Sequence, residues 1–227
     1  MTENRAVQQK SVRRNRVAAA ACCAAALIAV SVVGSQSATA DGATHRTAAA
    51  RPAAAAAPGL GSAALVQSED FRRGPNPTGA TIELAGRQGL SACSGEETMR
   101  SQTNGQATAY ASVTWTFDTT GRLTESAASA PTGTTAAAWE QQFVALLQDC
   151  QDEPAGHWYY GAAHTLTVNG GTAHWYPAYN GDGVFSGGAA VLRSGTRVAV
   201  LEVTGRPTDA PSYVEGIATA ALNRLPS

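Results

Sequence analysis

Lysine is almost missing from this 227-residue chain: Lys10 is the only one. Five of the 16 Lys and Arg and one of the 17 Asp and Glu fall within residues 1–40, so the remainder has no lysine and a net charge of −5. A chain of that balance has no electrostatic footprint for nucleic-acid phosphates or for anionic lipid. Catalytic signatures are missing too. The string Gly183-Val184-Phe185-Ser186-Gly187 has the wrong spacing for a nucleophile elbow, and no helix pattern follows it. Gly181-Asp182-Gly183 does not extend to a dinucleotide fingerprint, because Ser186 stands where the third glycine belongs. The glycine-rich and His-Arg-Asp loops of a kinase are absent. Adjacent acids (Glu69-Asp70, Glu96-Glu97, Asp152-Glu153) point apart and read as solvated caps and loops. No catalytic residue, cofactor or metal centre is assigned, and the chain is expected not to be an enzyme.

The start of the chain carries an export signal. Arg5, Lys10, Arg13, Arg14 and Arg16 form a basic region, residues 17–34 are uncharged and rich in Ala, Val, Leu and Ile, and Ala38-Thr39-Ala40 precedes Asp41. That order matches a secretory signal peptide over residues 1–40. The alternative is a retained membrane anchor, since the uncharged stretch is near the lower limit of about 18 residues for a span, though Ser31, Gly34 and Ser35 weaken its end. A twin-arginine reading of Arg13-Arg14 is poor, because Asn15-Arg16 follows where that signal prefers an apolar residue. Cys22 and Cys23 lie too early in the apolar core for a lipoprotein cleavage site. The expectation is a secreted chain with no stable membrane insertion after cleavage.

Two cysteines remain, Cys93 and Cys150, an even pair in an oxidising compartment, and one disulfide is the expected outcome. A metal site would need a second CxxC or a His pair, which the chain lacks. Residues 41–62 are Ala-rich with Pro52, Pro58, Gly59 and Gly61 and read as a flexible spacer. Residues 63–227 then suit one domain.

That domain reads as α+β: an antiparallel β-sheet flanked by helices and stapled by a single disulfide. Residues 108–117 alternate strictly, with Ala109, Ala111, Val113, Trp115 and Phe117 on one side, as a half-buried strand does. A weaker strand follows over 123–129. A helix opening within 131–135 places Trp139, Phe143, Leu146, Leu147 and Cys150 on one stripe. Residues 165–168 and 171–176 flank Asn169-Gly170, the strongest two-residue hairpin signal. Residues 184–192 lead into 198–203, whose continuous run of apolar residues predicts a central, doubly covered strand. The chain closes in a helix over 211–225, with Ser212 and Glu215 as a capping box and Val214, Ile217, Ala221, Leu222 and Leu225 buried.

A two-residue Asn169-Gly170 turn sets His164 opposite Trp175 and His174 opposite Thr165, so the two histidines project to different sides and cannot share a zinc ion. A three-residue loop would bring them to one face. The remaining feature is an aromatic concentration in a chain only 6% aromatic: His157-Trp158-Tyr159-Tyr160, His174-Trp175-Tyr176 and Tyr179. Tyr and Trp can hold an apolar ligand while hydrogen-bonding its polar end. Trp158, Tyr159, Tyr160, His174, Trp175, Tyr176 and Tyr179 are therefore the candidate ligand-binding residues; sheet propensity alone would also select such residues for core packing.

The order of elements resembles a known family. A cysteine segment precedes a hairpin, then a helix Trp139-Glu140-Gln141-Gln142-Phe143 that ends Leu147-Gln148-Asp149-Cys150, a late strand over 197–203 and a closing helix from Tyr213-Val214-Glu215. This pattern is similar to the extracellular sensor domain of PknH-type serine/threonine kinases of mycobacteria and their relatives, over most of residues 63–227. The resemblance implies a sheet flanked by helices with a cleft for an unidentified extracellular ligand. The kinase sensor domains have two disulfides where this chain offers one, and the kinase itself is absent from this chain. The expected function is a monomeric, extracytoplasmic sensor-like or ligand-binding domain whose partner is a small molecule or an envelope component. A secreted hydrolase with an unrecognised site is one alternative, testable by fluorophosphonate labelling. An envelope protein acting through protein–protein contacts is the other.

Overall fold

The computed structural model describes residues 59–71, 74–168, 170–205 and 207–226. The expected export signal, and the spacer up to residue 58, lie outside the described residues. Packed chain begins at Leu60, inside the segment assigned to the spacer: its side chain is buried in the core.

One antiparallel sheet of eight strands organises everything else. The strands are β1 (Pro77–Glu83), β2 (Ala109–Phe117), β3 (Arg122–Ser129), β4 (Tyr159–Tyr160), β5 (His164–Val168), β6 (Gly171–Tyr179), β7 (Phe185–Ser194) and β8 (Arg197–Thr204). They run in the order β1-β2-β3-β8-β7-β6-β4, and β5 pairs with β6 as well. Since β7 occupies one side of β6, β4 and β5 share the other, at opposite ends. The expected hairpin register is found: His164 faces Trp175, Thr165 faces His174 and Val168 faces Gly171. Gly170 takes a φ of +77° there, the left-handed conformation that this tight connection requires. Asn169 itself lies outside the described residues.

Helices cover both faces. α3 (Pro211–Arg224) buries Val214, Ile217, Ala218, Ala221 and Leu222, and packs on β6 and β7. On the same face, two 3-10 turns (Ser62–Ala64 and Ser68–Phe71) deliver Leu65, Val66 and Phe71 to the core. The opposite face carries α2 (Gly133–Gln148) over β7 and β8, with Trp139, Phe143 and Leu147 turned inward, and the one-turn helix α1 (Met99–Gln102). Each fully buried Leu, Ile or Phe in these layers is worth roughly 1.5–3 kcal/mol of transfer free energy. Central alanines (Ala127, Ala128, Ala189, Ala190, Ala199) are wholly buried, which lets the helices approach the sheet closely. No helix among the described residues is long and apolar enough to cross a membrane.

The two long helices start differently. Thr132 caps α2 by accepting the Thr135 N–H at 3.1 Å. The expected Ser212–Glu215 capping box on α3 does not form: the N-cap is Ala210, without a side-chain cap, and Pro211 occupies the first turn. Proline already suits that position, because its missing N–H needs no partner and its φ is pre-set. The frame of the helix is thereby shifted so that Ser212 lies inside it.

Cys93 and Cys150 are joined, with Cα atoms 5.9 Å apart. The bond ties the loop before α1 to the end of α2 and so fixes a roof over one end of the sheet.

Candidate functional site

Sheet register aligns one row of side chains on the α2 face: Tyr176, Ala189, Glu202, Thr124 and Thr114, contributed in turn by β6, β7, β8, β3 and β2. Most of this face is apolar, so the row is exceptional. Glu202 is only 4% exposed, and Thr124 equally so. Burying a carboxyl group in such a place requires hydrogen-bonding partners. Oε1 of Glu202 accepts the Ala92 N–H at 2.7 Å and the Tyr160 hydroxyl at 3.0 Å. Its second oxygen, Oε2, makes no hydrogen bond among the described residues.

Burial pushes the Glu202 carboxyl above its ordinary range, while the Ala92 N–H, the Tyr160 hydroxyl and the Arg122 charge pull the other way. The Tyr160 hydroxyl is raised well above its usual value, first by burial and then by the Glu202 charge beside it.

Two depressions flank this centre. The smaller, about 160 Å³, is lined by Glu202, Thr124 and Arg122 from the sheet and by Gln88, Ser91 and Ala92 from the stapled roof. Ser91 and Ser94 lock the roof by exchanging backbone-to-hydroxyl hydrogen bonds. The larger, about 370 Å³, is a cleft lined by Trp158, Thr120, Asn180, Ser186, Val203 and Thr204. The two are neighbours in the sheet, because Arg122 of the first pairs with Thr204 of the second. Trp158 packs edge-on against Tyr160, with ring centroids 4.6 Å apart, and thus joins the cleft to Glu202 through one aromatic side chain.

The cleft is preformed. Asn180 Oδ1 accepts the N–H groups of Asp182 and Val184 and fixes the loop after β6. At Gly187, φ is +138° and a Cβ would lie 2.1 Å from the Val203 carbonyl oxygen, so only glycine lets β7 meet β8 beside the cleft. Next to it the pairing of β6 and β7 shifts between Ala178 and Tyr179, which leaves Ser186 as the extra residue of a bulge. The Ser186 hydroxyl is buried without a hydrogen-bond partner among the described residues.

The candidate aromatic residues do not form one surface. Tyr160 and Tyr176 are buried on the α2 face, 6.2 Å apart, and Trp158 adjoins them. Trp175 is buried on the α3 face with His164 stacked on it at 4.6 Å. Tyr179 packs against the same core and stacks on Tyr159 at 5.4 Å. His174 faces Glu140, which also accepts the Thr172 hydroxyl and the Arg193 guanidinium; that group braces α2 against β6 and β7. Of the seven, Trp158 alone lines the cleft.

Glu202 and Arg122 were outside the candidates. The signal for Glu202 was present: it is the one charged residue in the apolar run 198–203, which is apolar enough to be covered on both sides. A third depression, about 570 Å³, runs along the outer side of α3. Its acids Glu69 and Asp70 are committed to Arg224, and it holds none of the candidate residues.

No family model matches the chain, and no curated protein matches it. Among solved structures, it is similar to the extracellular domain of PknH from Mycobacterium tuberculosis, at 12% identity and a TM-score of 0.47, over 72% of this chain and 93% of that one. That is a weak likeness at the level of fold, and sequence comparison adds no family to it.

Proposed function

We propose that this chain is an exported, non-catalytic ligand-binding or sensor-like module, and that its ligand occupies the Trp158 cleft at the α2-face end of the sheet. The observation that carries the reading is a preformed cleft of about 370 Å³, within the usual size range of small-molecule sites. Trp158 supplies an amphipathic ring to its lining, and Thr120, Asn180 and Thr204 add polar side chains. They are the orienting donors and acceptors such a site uses.

Binding fits these residues better than hydrolysis does. A nucleophilic serine needs a base within hydrogen-bond reach, and the Ser186 hydroxyl has no hydrogen-bond partner among the described residues. His164 is engaged with Trp175, and His174 with Glu140. Export rests on the signal pattern in residues 1–40, and the Cys93–Cys150 bond suits the oxidising side of a membrane.

Native mass spectrometry of the chain harvested from its own culture medium tests the reading. A small molecule should remain bound to the wild-type chain and be lost from Trp158→Ala. A chain that never carries a ligand, or whose ligand is indifferent to Trp158, contradicts it.

A further inference from the structure

We infer that the cavity beneath residues 88–95 binds a small zwitterion of the α-amino acid type, with its ammonium on Glu202 and its carboxylate on Arg122. The inference rests on the reading that this end of the sheet receives a small ligand, and it names the chemistry of a second subsite beside the Trp158 cleft.

Two opposite charges stand at two depths of one cavity. Glu202 lies at the floor, nearly inaccessible, while Arg122 is exposed at the mouth. They form no direct ion pair, yet Arg122 acts electrostatically on the Glu202 carboxyl. Arg122 has no hydrogen bond or ion pair among the described residues, and the Thr124 hydroxyl has no hydrogen bond among them. One oxygen of Glu202 is held by Ala92 and Tyr160 and the other is uncommitted. An uncommitted carboxylate oxygen can accept from a donor in the cavity, and an arginine fork is suited to a carboxylate. A single molecule that satisfies both must be cationic at its inner end and anionic at its outer end.

Size narrows the class. The cavity of about 160 Å³ lies below the usual range of small-molecule sites, which favours a small molecule. A chloride or a simple amine would satisfy only one of the two charges. Burial raises the Glu202 carboxyl above its ordinary range, and an ammonium seated beside it would pull it back down.

Isothermal titration of the disulfide-intact secreted chain tests this, with glycine and L-alanine as ligands and methylamine, acetate and L-leucine as controls. Glycine or alanine should bind, each control at least about tenfold more weakly. Arg122→Ala lies on the surface and should fold normally, and it should weaken binding at least about tenfold, as should the isosteric Glu202→Gln. Three results would overturn the inference: no heat with either amino acid, methylamine binding as tightly as glycine, or unchanged affinity in Arg122→Ala. A chain that ignores amino acids yet retains a molecule sensitive to Trp158→Ala would reject this subsite and leave the cleft reading standing.

Discussion

Glu125 sits in the middle of an apolar row on the α3 face, where Trp175, Ala190, Leu201, Glu125 and Val113 lie side by side on β6, β7, β8, β3 and β2. It is 0% exposed, and one carboxyl oxygen accepts the Val66 N–H at 2.6 Å while the other has no partner. Burial pushes its pKa up to about 8 from a reference of 4.5; the Asp70 charge adds to the rise, and the Val66 N–H and Arg224 oppose it. Between those two values the folded chain holds a proton that the unfolded chain has lost. Stability therefore falls as pH rises: the contribution is complete below 4.5 and is gone above about 8. At 1.36 kcal/mol per unit the full change is about 5 kcal/mol. Glu202, also raised by burial, acts with the same sign. Glu125→Gln keeps an acceptor for Val66 and cannot ionise. Urea unfolding at pH 5 and pH 8.5 should show wild type losing several kcal/mol more than the variant, with the variant the more stable of the two at pH 8.5. Parallel curves for the two proteins would refute the argument, because they would mean that Glu125 titrates alike in both states.

Removing the staple by Cys93→Ser should cost about 4 kcal/mol for a bridge spanning 57 residues of sequence, read from guanidinium unfolding under non-reducing conditions. An unchanged midpoint would mean that the roof over Glu202 is held without it. Gly187→Ala forces a side chain into a φ of +138° and against the Val203 carbonyl; strain alone costs about 1–3 kcal/mol. A loss of at least that size should appear in thermal unfolding, and a neutral outcome would show that β7 can move away from β8.

The strands and helices that were legible in the sequence owe it to large apolar residues at regular spacing. β8 reads as central because Val198, Val200, Leu201 and Val203 leave little room for a polar face, and it lies between β3 and β7. The hairpin register over β5 and β6 followed from two turn residues and was found as expected. β3 was underrated. It is buried along almost its whole length, but through Ala127, Ala128, Ser126 and Ser129, which carry little hydrophobic signal. β1 escaped notice because it is an edge strand with most residues exposed, including Ile82. β4 spans only two residues and exists by pairing with Ala178 and Tyr179.

The site was harder to see for a different reason. An aromatic count finds residues that prefer sheets, and the sheet divided them between its two faces, as the alternation at Trp175 and Tyr176 requires. What makes a cleft around Trp158 is backbone shape: the bulge at Ser186 and the tight approach at Gly187. Glu202 acquires its character from residues far away in sequence, Ala92 and Tyr160. Its isolation in an apolar run was the available clue; Glu125 offered none, because β3 is rich in Ser, Thr and Ala.

The four tryptophans offer the most direct check of where the ligand sits. Trp115, Trp139 and Trp175 are held in core clusters or against them; Trp158 also packs against one, and it is the tryptophan that lines the cleft. In a nitrogen-15 correlation spectrum, adding the low-molecular-weight fraction of the native culture medium should move the Trp158 indole N–H and leave the Trp175 indole in place. A spectrum in which Trp158 stays still while the Trp175 indole shifts, or in which no resonance moves, would contradict the account.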